Sequence, residues 1–252
     1  VKRAEREDAP RLARWITRPD HPLTARVIVN RLWHYQFGTG IVHTPSDLGV
    51  NGGRPSHPEL LDCLAAELVQ PAVPDAPAGA DAAASPATAA SPHAWSLKHI
   101  QRLICRSAAY RQSSQPNPQG LAADAAARLL WRYPPRRLEA EALRDTILSV
   151  SGKLDLTTGG PGFDLFEPNT NYVRVYATKR EYGADTFRRM VYQRKPRMQL
   201  DDTFGAFDCP DAGQIAPQRN RSNTPLQALN LLNSACLLQQ AECWAQRLAA
   251  EA

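Results

Sequence analysis

No run of apolar residues in this 252-residue chain approaches the ~18 that a helical membrane span needs, so a span of that kind is excluded. Cysteine is present but unpatterned. Cys63, Cys105, Cys209, Cys236 and Cys243 are odd in number and form neither CxxC nor CxxCH, so a zinc knuckle and a haem attached to this chain are not expected. Cys236 and Cys243 fall two turns apart on one expected helix, ~10 Å at 1.5 Å per residue, too far for a bridge between them. Cys63 and Cys105 occupy apolar helical positions, where cysteine packs as a small hydrophobe. Lysine is scarce: of 30 basic side chains only Lys2, Lys98, Lys153, Lys179 and Lys195 are lysine, and 25 are arginine. The phosphate-cradling patterns GxGxxG and GxxxxGK[ST], the GxSxG nucleophile turn and the HExxH metal pair are all missing.

The apolar share of 43% and charged share of 22% belong to a folded globular protein, which excludes wholesale disorder. Formal net charge is +5 and the pI about 9.1. Arginine forms planar, bidentate pairs with carboxylates and phosphates. An Arg- and Ala-rich composition also follows from GC-rich codon usage. A nucleic-acid binder carries a contiguous basic stripe. The clusters here are short, Arg132, Arg136, Arg137 and then Arg188, Arg189, Arg194, Lys195, Arg197, and the first runs into Glu139 and Glu141 at helical pairing distance. Structural pairing is expected of them, and nucleic-acid binding is not. The chain begins at Val1 without a signal peptide or anchor and reads as a portion of a longer protein, which says nothing of export.

Periodicity predicts a mainly α fold: a single compact domain of six or seven helices with long irregular loops and room for one small β-hairpin. Residues 8–18 place Leu12, Trp15 and Ile16 on one face. Residues 23–37 (LTARVIVNRLWHYQF) are apolar over most of the circumference and belong in the core, with Gly38 and Gly40 stopping the helix. Ser56 and Glu59 form a capping-box pattern around Pro58, opening a helix with Leu60, Leu61, Leu64, Ala65 and Leu68 on one side. Residues 70–94 are almost all Ala, Pro, Asp, Ser and Thr, which predicts a disordered insertion. Ser96 caps a helix over 97–109 that buries Leu97, Ile100, Leu103 and Ile104, and 112–120 read as loop. Helices are predicted over 122–132 and 137–151, the latter on Leu143, Ile147 and Val150. Asn171–Ala177 alternates like a strand. Residues 183–222 are irregular. Thr224 and Gln227 form a second capping box, opening a helix to about Ala249.

Four of the six histidines, His21, His34, His43 and His57, lie among Asp20, Asp47 and Glu59, but no spacing matches a metal motif, and no metal site is assigned. The Gly-rich segment Thr157–Gly162 lacks a phosphate-binding pattern. The more informative feature is a polar stripe on the 23–37 helix: Arg26, Asn30 and His34 recur every four residues, with Arg31 beside them. On so apolar a helix the stripe is either buried and hydrogen-bonded or that helix's wet face. If buried, Arg26 or Arg31 needs a carboxylate, and Asp47 in the following loop is the candidate. Together with His57, these residues form the candidate polar cluster, for binding or for structure. No catalytic residue is identified.

Several segments resemble a known family: Leu23–Trp33 (LTARVIVNRLW), Phe37–Val42 (FGTGIV), Asp47–Gly49 (DLG), Pro55–Asp62 (PSHPELLD), Trp95–Lys98 (WSLK), Ser107–Arg111 (SAAYR), Arg136–Glu141 (RRLEAE), Phe207–Asp208 and Thr224–Leu229 (TPLQAL). They resemble the planctomycete cytochrome C-associated domain of unknown function, also called PSD1, over nearly the whole chain in order. The Ala/Pro-rich stretch 70–94 departs from that pattern. The resemblance implies a module of large exported proteins, typically C-terminal in them, with other domains of the same parent as partners. It implies a periplasmic or exported location and haem c, where the parent has it, outside this chain. It carries no established activity and defines no catalytic residues.

Three functions remain open on the sequence: an accessory or interaction module, an enzyme domain acting on extracellular polymers such as glycans, and an Arg-rich anion- or polymer-binding module. A deep pocket gathering His34, Asp47, His57 and arginines would favour the second. A continuous exposed arginine face would favour the third.

Overall fold

The computed structural model describes residues 4–71, 94–168, 176–196, 205–210, 213 and 215–251, with side chains from residue 9 onward. Residues 72–93 of the expected disordered insertion at 70–94, and most of the expected strand at 171–177, lie outside these residues. The fold is mainly α, as the periodicity predicts. The chain divides into two compact units, 1–136 and 137–252.

The first unit holds α1 (Ala4–Ile16), α2 (Thr24–Phe37), α3 (Pro58–Val69), α4 (Leu97–Arg106), α5 (Ala108–Arg111) and α6 (Pro118–Ala123). Helices α2, α3 and α4 pack on one another. Val29, Trp33 and Phe37 of α2 meet Leu61, Leu64 and Leu68 of α3 and Ile100 and Ile104 of α4, with Ile41 and Val42 closing the core from the loop. Gly38 takes φ +83° in the left-handed region, and its N–H bonds the His34 carbonyl, ending α2. Ser96 caps α4 by accepting the His99 N–H at 3.3 Å.

Several expectations need correction. Helix α4 buries Ile100 and Ile104 but leaves Leu97 and Leu103 exposed. Cys63 is exposed and Cys105 half-buried rather than packed in the core. Ser56 does not cap α3: its N–H and hydroxyl both bond the Ile41 carbonyl, at 2.9 and 3.3 Å, and His57 takes the N-cap position without its side chain capping the helix. The helix expected over 122–132 is instead α6 followed by turns. The Asp124 carboxylate accepts the Leu129 N–H at 2.7 Å, an alternative to helical pairing. Ala127 and Leu130 adopt left-handed conformations, φ +51° and +58°, that no helix contains.

The second unit contains α7 (Ala140–Val150), two single 3₁₀ turns at Ala184–Thr186 and Met190–Tyr192, α8 (Pro225–Asn233) and α9 (Ala235–Glu251). Helix α7 buries Ala140, Arg144 and Leu148, not the expected Leu143–Ile147–Val150 face. Arg144 accounts for the difference. Its guanidinium lies over the Phe163 ring and donates to the carbonyls of Arg188, at 2.8 Å, and Thr186, so a charged residue occupies the inward position. Isolated bridges stand in for a sheet, among them an antiparallel one between Phe166 and Thr178. The single helix expected from Thr224 to about Ala249 is broken at Ser234, whose backbone is extended.

The capping box at Thr224 does not form either. Pro225 opens α8, but Thr224 makes no side-chain cap bond. The Gln227 amide is buried elsewhere: Nε2 donates to Ala206 O, Ser222 O and Ser222 Oγ at 3.0, 3.2 and 3.0 Å, and Oε1 accepts from Arg137. Gln227→Ala is expected to destabilise the protein by about 2–4 kcal/mol, because it leaves several buried groups unpaired. Thr224→Ala should cost under ~0.5 kcal/mol rather than the ~1 kcal/mol of a lost cap. Urea unfolding midpoints of the two variants check this, and equal losses would contradict it.

Candidate functional site

The six residues of the expected polar cluster do not meet in one place. Asn30 is fully buried and holds the loop after α2: its Nδ2 donates to Val42 O at 2.9 Å and its Oδ1 accepts Val42 N–H at 2.8 Å. The side-chain amide thus pairs a peptide group as a neighbouring strand would. The loop passes so close that a Cβ on Gly40 would lie 2.7 Å from Asn30 Oδ1 and 2.5 Å from Val42 O. Arg31 is exposed, and His34 is half-buried with its ring edge-on to Tyr35.

Arg26 is paired, but Asp47 is not its partner. Packing of α3 along α2 brings Asp62 to it: Arg26 Nε donates to Asp62 Oδ1 at 2.6 Å, and its Nη1 to Pro22 O at 2.5 Å. Both side chains are well exposed, so the pair contributes under ~1 kcal/mol. Asp47 instead organises its own turn, accepting Gly49 N–H at 2.9 Å on its carboxylate and the Thr44 hydroxyl at 2.6 Å on its carbonyl. His57 Nδ1 lies 2.9 Å from Ser56 Oγ. With Trp33, Phe37 and Arg128 it borders a hollow of about 30 Å³, room for one water. A larger cleft of about 380 Å³ opens where Arg26 and Asp62 meet His21, Pro22, Ala25 and Val69.

The densest charged cluster lies in the second unit and escaped the sequence reading. Glu141, in the first turn of α7, was expected to pair with Arg132, Arg136 and Arg137. It is held instead by Arg219, whose Nη1 and Nη2 donate to Oε2 and Oε1 at 2.5 and 2.9 Å, with Lys195 Nζ 3.4 Å from Oε1. Lys195 Nζ also lies 2.8 Å from the sulfur of buried Cys209. Beside them Asp208, at φ +56°, accepts Ser222 N–H at 2.6 Å and the Ser222 hydroxyl. Lys195, Cys209 and Arg219 are 54, 68 and 78 positions from Glu141 in the chain, and no local spacing announces the group. The signal present was an acidic residue opening a helix, which pointed to the wrong arginines. Arg136 and Arg137 bond elsewhere, to the Tyr35 carbonyl at 2.5 Å and to Asn223 Oδ1 at 2.7 Å.

The Gly-rich segment is a cation cage rather than a phosphate cradle. The carbonyls of Thr157, Gly159 and Pro161 accept from Arg188 at 3.0, 2.5 and 2.5 Å, and the guanidinium lies 3.9 Å from the Tyr192 ring centre. Among the described residues no group of three or more His, Cys, Asp or Glu side chains converges as a metal site. No helix among them is long and apolar enough to cross a membrane.

Burial works to raise the Glu141 pKa. The Arg219 hydrogen bonds, the bond from its own backbone N–H and the charges of Arg219 and Lys195 outweigh burial and hold it at about 2, against 4.5 for an ordinary glutamate. A depressed carboxylate pKa stabilises the fold fully above the unfolded value and loses that contribution as pH falls through the folded one. Wild type should therefore lose about 2–3 kcal/mol at this site between pH ~4.5 and ~2. Glu141→Gln should be less stable at neutral pH and show a correspondingly flatter pH dependence in that window, read by urea unfolding. Parallel curves for the two proteins would contradict the assignment. In the first unit, Asn30→Ala should cost about 2–4 kcal/mol, since it strands two buried backbone groups. Asp47→Ala should cost under ~1 kcal/mol, as an exposed turn residue does. Thermal unfolding separates the two.

A family model described as PSD1, protein of unknown function (DUF1553), matches residues 10–252. No curated protein and no solved structure matches the chain. The match takes in all of the described structure but the start of α1, and with it every segment from Leu23 to Leu229 on which the resemblance rests. The chain belongs to the PSD1 family of proteins of unknown function.

Proposed function

We propose that this chain is an accessory interaction module of an exported, cytochrome-c-associated protein, and that it works by packing against other domains of that parent. The observation that carries this reading is the orientation of α8 and α9. Among the residues of α8 only Gln227 is buried, while Leu226, Leu229 and Leu232 recur every third position and are 54, 54 and 72% exposed. In α9 the buried residues are Cys236 and Gln240, whereas Leu238, Trp244 and Leu248 are exposed. Both helices turn amide side chains inward and most of their leucines outward. Scattered surface leucines are ordinary, but successive stripes of them mark surfaces that another apolar surface covers. With no CxxCH in the chain, any haem c belongs to the parent's other segments.

The anion-binding reading asks for free arginines in a continuous face. Arg137, Arg144 and Arg188 instead spend their donors on backbone carbonyls of the same unit. A second reading, an enzyme domain acting on extracellular polymers such as glycans, finds support in one feature. The Arg26–Asp62 cleft is large enough for a sugar-sized ligand, although Asp47 and His57 do not line it.

Leu229→Glu with Leu232→Glu tests the first reading. Both positions are exposed, so stability should change by less than ~1 kcal/mol. Association with the remainder of the parent protein, measured by analytical ultracentrifugation, should fall at least tenfold. Undiminished association would remove the basis of this reading. Saturable binding of a soluble polysaccharide, abolished by Arg26→Ala, would favour the second.

A further inference from the structure

We propose that Lys195 and Cys209 form a redox cross-link, a sulfenamide between Nζ and Sγ, when the protein meets a hydroperoxide. Three observations lead there. The amine and the sulfur are already in contact at 2.8 Å, so no segment has to move to bring them together. The amine is held in place: its charge rests on Glu141 at 3.4 Å, and Glu141 is fixed by two bonds from Arg219. And the sulfur has no thiol to resolve it within its own cluster. Cys209 packs with Ala140, Met190 and Phe207, while the other buried cysteine, Cys236, belongs to a separate core with Phe163, Leu165 and Tyr182. Among the described residues, the nucleophile in contact with Cys209 is therefore the Lys195 nitrogen.

The chemistry balances with one peroxide. The thiol sulfur attacks the peroxide, its O–O bond breaks, and the products are the sulfenic acid Cys–SOH and an alcohol, or water from hydrogen peroxide itself. Lys195 is a quarter exposed and passes one ammonium proton to solvent. The freed lone pair attacks sulfur, the S–O bond breaks, and the leaving hydroxide takes a second proton from nitrogen as water. The product is Cys–S–NH–Lys. Sulfur has lost two electrons to the peroxide, and an added thiol reverses the step by attacking sulfur. The linkage also removes the positive charge of Lys195 and leaves Glu141 to Arg219. Burial pushes the Cys209 thiol pKa up, and the Lys195 hydrogen bond works against it. Cys209 should accordingly react more slowly than exposed Cys63, which serves as an internal gauge that the oxidant has acted.

The test is peptide mapping of the folded full chain after exposure to hydrogen peroxide, without reductant. Trypsin cuts after Arg197, between the two residues, so the peptides bearing Lys195 and Cys209 separate unless they are linked. The expected result is a joined pair, lighter than the sum of its parts by two hydrogens and released by dithiothreitol. It should be absent from Lys195→Arg, which keeps the charge beside Glu141, and from Cys209→Ser, with circular dichroism confirming that each variant folds. Cys209 recovered as a free thiol or as a sulfinic acid, with Lys195 unmodified and Cys63 oxidised, would overturn the proposal.

Discussion

The polar bonding of this protein answers one need: irregular backbone must find hydrogen-bond partners without a sheet to supply them. Among the described residues the only β pairings are isolated bridges, yet long non-helical segments run past buried cores. A buried peptide group left unpaired costs ~1–3 kcal/mol, so partners have to come from side chains. Asn30 supplies both bonds to the Val42 peptide in the first unit. Gln239 does the same for Tyr182 in the second, accepting its N–H at 3.1 Å and donating to its carbonyl at 2.7 Å. Gln227 ties Ala206 and Ser222 together from the first turn of α8. Asn30 and Gln239 thus reproduce the donor–acceptor pair that a neighbouring strand would offer, while Gln227 supplies donors to two carbonyls.

The same need accounts for how the arginines are used. A lysine offers a point charge, whereas a guanidinium presents five donors in a plane and reaches several carbonyls at once. Arg188 gathers three carbonyls of the 157–161 turn while resting on Tyr192, and Arg144 takes two while resting on Phe163. Codon usage bears on how much arginine a chain contains and not on where the arginines stand. The placement follows from carbonyl-rich turns that need multidentate donors. These two guanidiniums are engaged within their own unit, so their charge is not evidence of an anionic ligand.

This division also explains what could be read from the sequence. The helices α2, α3 and α4 were legible because their apolar residues recur at helical spacing and pack on each other. The polar stripe on α2 was legible as a question, since so apolar a helix has little face left for water. Only Asn30 turned out to be wholly buried, and its partner was a peptide at Val42 rather than a carboxylate. Side-chain-to-backbone bonds carry no signature at the acceptor, because every residue has a carbonyl. For the same reason Arg144 was invisible as the inward residue of α7, and the Leu143–Ile147–Val150 periodicity pointed to the wrong face. The Glu141–Arg219–Lys195–Cys209 group was illegible for a different reason. Its members are brought together by loops whose paths follow no period. Both capping boxes failed through competition: Ser56 is taken by the Ile41 carbonyl and Gln227 by Ser222 and Arg137.

Polar satisfaction from within has a consequence for the surface. Where a helix turns its amide and thiol side chains inward, its leucines have nowhere to go but out. Helices α8 and α9 show this inversion in successive segments, with Gln227, Cys236, Gln239 and Gln240 on the inner side and Leu226, Leu229, Leu232, Leu238, Trp244 and Leu248 on the outer. Each half-exposed leucine forgoes a good part of the roughly 1.5–3 kcal/mol that full burial would supply. An isolated globular domain gains nothing from that arrangement. A module that meets an apolar partner gains the burial at the moment of association, while its polar interior keeps its own loops in register beforehand. On the reading proposed above, the inward amides fix the irregular backbone and the outward leucines are what the helices present to a partner.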